Sequence, residues 1–190
     1  MGNIKLRCKY DDVYSFSEGL ARVEINGNSY IGKSGYIDKT GKEAVPPKYE
    51  GIYPFFDGLA RIRSEGQYGY IDMLGVEAIA PTFAEAEDFS EGLARVNRNG
   101  KFGYINVKGE TVIDMVYDNA RRFSQGLAPV RRMGKYGYVD KTGREITPFK
   151  FDDASVFLPN GFAWVEIAGR SYYVDVRGKE FVTLTSAAQK

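Results

Sequence analysis

The sequence contains no histidine. Histidine is the commonest general base near neutral pH and the commonest metal ligand, so its absence excludes Ser-His-Asp triads and imidazole-based zinc sites. The only cysteine, Cys8, excludes an intramolecular disulfide. We therefore expect a protein that is not an enzyme, with no catalytic residues, metal ligands or cofactor. A hydrolase built on carboxylates is the weakest alternative.

An excess of charge of either sign is also missing. Lys plus Arg number 26 and Asp plus Glu number 25, so we expect no nucleic-acid partner. No stretch approaches the roughly 20 apolar residues of a membrane span, and the first seven residues lack the apolar run of a signal peptide. We expect a soluble cytoplasmic protein without membrane insertion, although a fragment cut from a longer exported chain could have the same composition.

What the sequence does contain is repetition. A motif that reads Gly-Leu-Ala-Arg-Val in its best copies occurs five times, with glycines 39, 34, 34 and 35 residues apart. A nearly fixed period in this range is typical of solenoids, propellers and other repeat arrays. The motif glycines are Gly19, Gly58, Gly92, Gly126 and, in a degraded copy, Gly161.

Each repeat predicts three short strands. Alternate residues are apolar after the motif glycine, as in Ala21, Val23 and Ile25, which indicates a first strand. A tight glycine turn leads to an aromatic-rich second strand, and an Asx-x-x-Gly turn leads to a third that ends near a proline. The repeats lie near 16–49, 55–83, 89–117, 123–151 and 157–184, with an extra N-terminal strand at 4–10.

These repeats predict a single all-β domain over residues 1–190, an array of five three-stranded units of about 34 residues. An open solenoid-like stack and a five-bladed β-propeller both fit, because each unit can bury its apolar face only against its neighbours. We favour the open stack with capped ends. The unit is short for a four-stranded blade, and both ends of the chain carry surplus strands.

The repeated pattern Phe-Ser-Glu-Gly-Leu-Ala-x-Val, followed by Gly-Lys-aromatic-Gly-Tyr-Ile-Asp-Lys-Thr-Gly-Lys-Glu, resembles the WG repeat family of bacterial β-repeat proteins over about residues 4–184. The resemblance implies a repeat architecture and a bacterial origin, and it implies no catalytic residue. This chain departs from the family at the tryptophan of the name. That position holds Tyr68, Phe102 and Tyr136 in the central repeats, and Ser34 and Ser171 in the outer ones.

Residues 27–34 match the G-x-x-x-x-G-K-[ST] pattern of a nucleotide-binding P-loop. A P-loop requires a helix after the lysine, whereas the corresponding residues of every other repeat predict a strand. We therefore interpret the match as a hairpin turn with an insertion. The Asx turns offer one acid each, too few for calcium, and the acidic run 85–88 lies in a predicted loop, so neither indicates a metal or glycosidase site.

Two rows of side chains are candidate binding surfaces. One row follows the motif alanine and faces away from the Ala-Val side, and it is suited to a protein partner because Arg and Trp are enriched at interface hot spots. The other is aromatic and either packs the units together or lines a groove for a glycan. The first row contains Arg22, Arg61, Arg95 and Trp164, and the second contains Tyr68, Phe102 and Tyr136. We expect a scaffold that binds another protein, with a glycan- or cell-wall-binding module as the alternative.

Overall fold

A computed structural model describes residues 9–25 and 32–182, and all regular structure in these residues is β. The chain divides into two compact units, Met1–Asp88 and Phe89–Lys190, which we describe in turn. Among the described residues, no helix has the length and apolar character needed to cross a membrane.

Unit 1 contains two four-stranded antiparallel sheets, each with its strands in chain order, followed by one two-residue strand. Sheet 1 consists of β1 (Asp12–Ser17), β2 (Leu20–Ile25), β3 (Lys33–Asp38) and β4 (Glu43–Tyr49). Sheet 2 consists of β5 (Gly51–Phe56), β6 (Leu59–Ser64), β7 (Gln67–Asp72) and β8 (Glu77–Phe83), and β9 (Glu85–Ala86) follows it.

Unit 2 contains the strands of three further antiparallel sheets. Sheet 3 has β10 (Leu93–Arg98), β11 (Lys101–Asn106) and β12 (Thr111–Tyr117) in this unit. Sheet 4 has β13 (Asn119–Ala120), β14 (Leu127–Arg132) and β15 (Lys135–Asp140), and sheet 5 has β16 (Asp153–Ala154), β17 (Phe162–Ile167), β18 (Arg170–Asp175) and β19 (Glu180–Val182). The predicted all-β array of five repeats is confirmed.

Each sheet has a first strand that the sequence pattern did not predict. The hairpin turn Asp57–Gly58 between β5 and β6 has φ values of 50° and 81°, and Glu65–Gly66 between β6 and β7 has 51° and 77°. Two successive positive φ values define the type I′ turn, whose twist matches that of paired strands. The motif glycine is therefore the second residue of a hairpin turn, and a strand precedes that turn. In β9, β13 and β16 this strand is only two residues long.

The turns that lead to the last strand follow the predicted Asx chemistry. Asp72 Oδ1 accepts hydrogen bonds from the backbone N–H groups of Leu74 and Val76, each at 2.9 Å. Beyond this turn, β8 crosses so close to β7 that a Cβ on Gly69 would lie 2.5 Å from the carbonyl oxygen of Ile79. In sheet 4 the corresponding segment, predicted as a strand ending at 151, makes only isolated bridges.

Hydrophobic cores lie between consecutive sheets of the same unit, and a smaller one contains Ala21, Val23 and Ile37 of sheet 1. In unit 1, Tyr36, Val45 and Tyr49 of sheet 1 pack against Ile52 and Ile62 of sheet 2. In unit 2, sheet 4 contributes to two such cores, one with sheet 3 and one with sheet 5. The leucine-tyrosine face of sheet 4 packs against the next sheet, sheet 5, and its alanine-valine face packs against the previous one, sheet 3.

Some predicted features lie on residues that the structure does not describe. Residues 4–8 of the predicted N-terminal strand, Cys8 among them, lie outside the described residues, as do residues 27–31 of the P-loop-like segment. Lys9 and Tyr10 are described and precede β1 without belonging to a strand. The organisation of residues 1–190 as a single domain stays a prediction.

Candidate functional site

Every junction between consecutive sheets of one unit contains a tyrosine whose hydroxyl donates a hydrogen bond to the next sheet. Burial raises the pKa of Tyr36 to about 12 and also raises that of Tyr138, so these hydroxyls stay protonated at neutral pH. The bonds join Tyr36 to the carbonyl oxygen of Tyr53 (2.7 Å), Tyr104 to that of Arg121 (2.6 Å) and Tyr138 to that of Ser155 (2.7 Å).

The arginines of the first predicted row also bond to backbone. Arg61 Nη1 donates to the carbonyl oxygen of Ala86 at 2.5 Å, and its Nε lies 3.1 Å from Oδ1 of Asp88. Desolvation raises the pKa of Asp88, and the Arg61 charge opposes this rise. Only 17% of the Arg61 side chain is exposed. The prediction that this row faces outward is therefore wrong at Arg61, whose side chain is mostly buried.

Arg22 and Arg95 behave in the same way. Arg22 Nη1 donates to the carbonyl oxygen of Ile52 at 3.3 Å, and Arg95 Nη1 donates to that of Ala120 at 3.2 Å. Both side chains thus reach the first strand of the following sheet. The three arginines contribute to packing between repeats, and recognition of a partner by them stays a prediction.

The predicted aromatic row lies beside arginine side chains. Phe102 and Tyr136 are buried in the junction cores of unit 2, and Tyr68 is half-buried. The guanidinium carbon of Arg95 is 4.7 Å from the Phe102 ring centroid, within the range of a cation–π contact. Of the two roles predicted for this row, the contacts of Phe102 and Tyr136 fit packing between units. Glycan binding by this row stays a prediction.

Trp164, the last member of the first row, is placed differently because no further sheet follows within the described residues. It lies on the leucine-tyrosine face of sheet 5, directly opposite Tyr173 in the β17–β18 register, and Tyr173 is opposite Phe181. Phe162 contacts Phe181 edge to face with ring centroids 5.7 Å apart. Phe162, Tyr173 and Phe181 are 37%, 40% and 37% exposed. We call these four residues the C-terminal face.

Sheet 1 has exposed apolar residues on its alanine-valine face, the face opposite to the one exposed in sheet 5. Val13 and Phe16 pair with Val23 and Ala21, so they lie on the alanine-valine face, and they are 58% and 49% exposed. The rest of that face is covered, because Ala21, Val23 and Ile37 are buried and Tyr10 packs against them. In sheet 2 the same two positions hold Ile52, which is buried, and Phe55, whose ring centroid is 5.2 Å from that of Tyr36. We call Val13 and Phe16 the N-terminal face.

A cavity of about 230 Å³ lies on the other side of β1, within unit 1. Its lining includes Tyr14, Leu20, Arg22, Tyr36 and Phe55. The Arg22 guanidinium stacks 3.7 Å from the centroid of the Tyr14 ring, and Arg22 Nη2 lies 3.3 Å from a Glu24 carboxylate oxygen. The Arg22 guanidinium group beside the cavity is therefore already in contact with Tyr14 and Glu24 of the same protein.

The other motifs singled out in the sequence have structural roles. Lys33 and Ser34 of the P-loop-like segment belong to strand β3, so the helix that a P-loop needs does not follow them. The Asx residues accept hydrogen bonds from their own turns, and the Thr40 hydroxyl in particular lowers the pKa of Asp38. Among the described residues, no group of three acidic or cysteine side chains is arranged to hold a metal ion.

A sequence model of the WG containing repeat matches residues 1–28, 35–68, 68–102, 102–136 and 136–170. The chain belongs to this family. No protein of curated function matches the chain significantly.

Solved structures similar to this WG repeat protein share its fold at very low sequence identity. KlHsv2 with a replaced loop has a TM-score of 0.53 at 10% identity, over 89% of this chain and 65% of its own. Kluyveromyces lactis Hsv2p has a TM-score of 0.52 at 9% identity, over 90% of this chain and 63% of its own. The WG repeat chain thus spans less than two thirds of either. Because Hsv2 is β-propeller-like, the five-bladed alternative stands beside the open stack.

The WG repeats are out of phase with the sheets. The matches change over at Tyr68, Phe102 and Tyr136, which lie in β7, β11 and β15, inside their sheets. One WG repeat therefore ends one sheet and begins the next. After the last match ends at residue 170, only β18 and β19 follow among the described residues. The C-terminal face forms where the next repeat would pack.

Sequence reasoning found Trp164 but missed the rest of the C-terminal face and all of the N-terminal face. Phe162, Tyr173 and Phe181 occupy positions that hold core residues in the other repeats. The signal that could have identified them is their position at the end of the array, combined with three aromatic side chains where earlier repeats have leucine, tyrosine and an aliphatic residue.

Proposed function

We propose that this WG repeat protein is a non-enzymatic scaffold that binds another protein through the C-terminal face. One observation carries the proposal. Tyr36, Tyr104 and Tyr138 are buried against a following sheet, whereas Tyr173 is 40% exposed at the same position of sheet 5. Trp164, Phe162 and Phe181 surround it on the same side of the sheet.

Physical chemistry favours a protein as the occupant. A cluster of exposed aromatic side chains is typical of interaction sites, and Trp and Tyr are enriched among the residues that dominate binding energy. The face is built on paired strands, so little conformational entropy is lost when it binds. Phe162 and Phe181 meet at an interplanar angle of 80°, which does not form the flat platform on which a sugar ring stacks.

A photo-cross-linking experiment tests this proposal. A benzoylphenylalanine residue replaces Tyr173 in one variant and Leu74 in a control, because Leu74 is an exposed apolar residue of a turn in unit 1. Both variants are irradiated in an extract of the native host, and the adducts are identified by mass spectrometry. We expect a protein adduct at position 173 that is absent at position 74 and is lost when Phe162→Asp is added.

Two results would overturn the proposal. The first is the same set of adducts at both positions, which indicates nonspecific collision. The second is no protein adduct at 173 together with binding to a glycan array that Trp164→Ala abolishes. That result would assign the face to carbohydrate.

A further inference from the structure

We infer that the cavity between sheets 1 and 2 binds a small apolar molecule that carries one carboxylate group. The cavity belongs to unit 1, whereas the C-terminal face belongs to unit 2. Arg22 lines the cavity, and Arg61 is the residue at the same position of sheet 2. Arg61 is paired with an aspartate, and the cavity lies where the corresponding aspartate would stand beside Arg22.

The two arginines share two contacts. The guanidinium carbon of Arg22 lies 3.7 Å from the ring centroid of Tyr14, and that of Arg61 lies 3.9 Å from the ring centroid of Tyr53. Nη1 of each arginine also donates to a backbone carbonyl oxygen beyond the end of its sheet. The structure therefore holds both guanidinium groups in the same way.

Arg61 makes a third contact, through its Nε atom. This atom lies 3.1 Å from Oδ1 of Asp88, which is two residues after the carbonyl group that Arg61 binds. Two residues after the carbonyl group that Arg22 binds, the chain has Pro54, which supplies no carboxylate. Because Arg22 and Pro54 both line the cavity, the space lies where an aspartate side chain at position 54 would reach the arginine.

The junction of sheets 1 and 2 is more open here than the junction of sheets 4 and 5. In the latter, the Ser124 hydroxyl donates to the carbonyl oxygen of Phe157 at 2.7 Å, and Phe157 is 2% exposed. The corresponding residues of unit 1 are Ser17, which is exposed, and Phe55, which is half-buried. Both line the cavity, so this edge of the junction is open to solvent.

The lining determines the chemical class of the ligand. Leu20, Tyr36 and Phe55 provide aliphatic and aromatic walls, and Arg22 supplies the charged group. Ligand sites are typically apolar with a few polar groups that fix the orientation of the ligand. Guanidinium–carboxylate hydrogen bonds are stronger than those between neutral groups, and Asp88 shows that an arginine at this position accepts a carboxylate. The ligand therefore has an apolar body and one carboxylate.

The volume of the cavity limits the size of the ligand. The cavity measures about 230 Å³. An apolar protein cavity of about 150 Å³ holds a benzene molecule, so this one has room for a benzene ring that bears a short acidic group, about ten non-hydrogen atoms in all. Phenylacetate has this size and is the probe. A ligand of this size is expected to bind with a dissociation constant of about 1 mM.

Glu24 competes with the ligand for Arg22. A Glu24 carboxylate oxygen lies 3.3 Å from Arg22 Nη2, whereas the contact expected of the ligand uses Nε, as in the pair of Arg61 and Asp88. A guanidinium group has five N–H donors, so it can bind two carboxylates. The charge of Glu24 still opposes the approach of a second anion, and its removal should strengthen binding.

An NMR titration of the isotope-labelled full chain with phenylacetate tests the inference. We expect saturable binding, with the largest shifts at residues that line the cavity, such as Leu20 and Phe55. Phenylacetamide is the matched control ligand, because it has nearly the same shape and no charge. It should bind at least about tenfold more weakly, since it loses a charge-assisted hydrogen bond.

Three variants test the assignment of the carboxylate position. Pro54→Asp supplies the carboxylate from the chain itself and should weaken phenylacetate binding at least about tenfold. Pro54→Asn is the matched control, of nearly the same size without the charge, and should stay within about threefold of the wild-type affinity. Glu24→Gln should strengthen binding at least about threefold, a gain that a misfolded variant cannot produce.

Each of four results would overturn the inference. They are the absence of saturable phenylacetate binding, equal affinities for phenylacetate and phenylacetamide, equal affinities of Pro54→Asp and Pro54→Asn, and a Glu24→Gln variant that binds no more tightly than the wild-type chain. These results leave the proposed function standing, because cross-linking at position 173 probes a residue of unit 2.

Discussion

The hydroxyl of Tyr104 lies 2.6 Å from the carbonyl oxygen of Arg121, and this hydrogen bond joins sheet 3 to sheet 4. Tyr104 is buried, so a carbonyl group that lost this donor would have little access to water. The cost of an unsatisfied buried polar group exceeds the net gain from an ordinary hydrogen bond. Loss of this one hydrogen bond should therefore lower stability by more than loss of an ordinary exposed one.

Tyr104→Phe should lower the free energy of unfolding by about 1 to 2 kcal/mol, because it removes the donor and leaves the carbonyl oxygen of Arg121 unpaired. Urea denaturation followed by circular dichroism measures the change. Tyr173→Phe is the matched control, because Tyr173 is 40% exposed, and it should change stability by less than about 0.5 kcal/mol. Equal losses in the two variants would contradict the structural role given to the junction tyrosines.

Stability should fall at alkaline pH. Burial raises the pKa of Tyr36 to about 12 in the folded state, against about 10 in the unfolded chain. The contribution of this group is therefore complete below about pH 10 and is lost as the pH rises to about 12, with a total on the order of 2 to 3 kcal/mol. Urea titrations across this range measure it. Tyr36→Phe should show a shallower decline, and an unchanged slope would refute the assignment.

Gly103→Ala should be strongly destabilising. A Cβ at this position would lie 2.5 Å from the carbonyl oxygen of Ile113, in backbone that cannot move aside. We expect a loss of about 3 kcal/mol from overpacking. Gly100→Ala is the control, since its Cβ would meet nothing within 4 Å and only the φ of 77° is strained, at about 1 kcal/mol. Thermal melting ranks the two variants, and the reverse order would be inconsistent with this packing.

Arg61→Met separates structural from binding roles in the first predicted row. The change keeps an apolar stem but removes the donor to Ala86 and the positive charge beside Asp88. We expect a stability loss of about 2 kcal/mol. Arg63→Met, which breaks a more exposed ion pair with Glu50, should cost less than about 1 kcal/mol. If Arg61→Met instead keeps full stability and abolishes partner binding, the arginine is a recognition residue.

Trp164 is the only tryptophan and lies on the C-terminal face, so its fluorescence reports occupation of that face. The emission maximum should shift to shorter wavelength when the protein identified by cross-linking at position 173 is added, because binding removes water from the indole. Phe162→Asp should show a smaller shift, since it places a charge on the C-terminal face. A shift of the same size in both proteins would mean that something other than occupation of the C-terminal face changes the indole environment.

The strands with alternating residues were predictable, and the first strand of each sheet was not. Ala60 and Ile62 alternate with Arg61, and Tyr68 and Tyr70 enrich the next strand, so β6 and β7 follow from local pattern. The Asp57–Gly58 pair was included in the repeat motif, although both residues have positive φ and form the turn. A two-residue strand such as β9 is too short to show any period.

The candidate site was predictable at one residue only. Alternation correctly places Arg61 on the side opposite Ala60, but it cannot show that this side is also covered. Trp164 occupies the same position of its repeat and is accompanied by exposed aromatic side chains only because the described part of the array ends there. Exposure of Tyr173 is thus a property of position within the array and cannot be derived from the repeat unit alone.

The offset between WG repeats and sheets has a consequence for how such genes can lengthen or shorten. A duplication or deletion of one repeat joins the chain in the middle of a sheet, at positions such as Tyr68 or Phe102, where hairpin pairing on both sides is identical from copy to copy. The recombined chain then has one sheet more or fewer, and every interior sheet is still complete. Unequal crossing-over can therefore change the size of the array in whole steps, and each new protein inherits the same two ends.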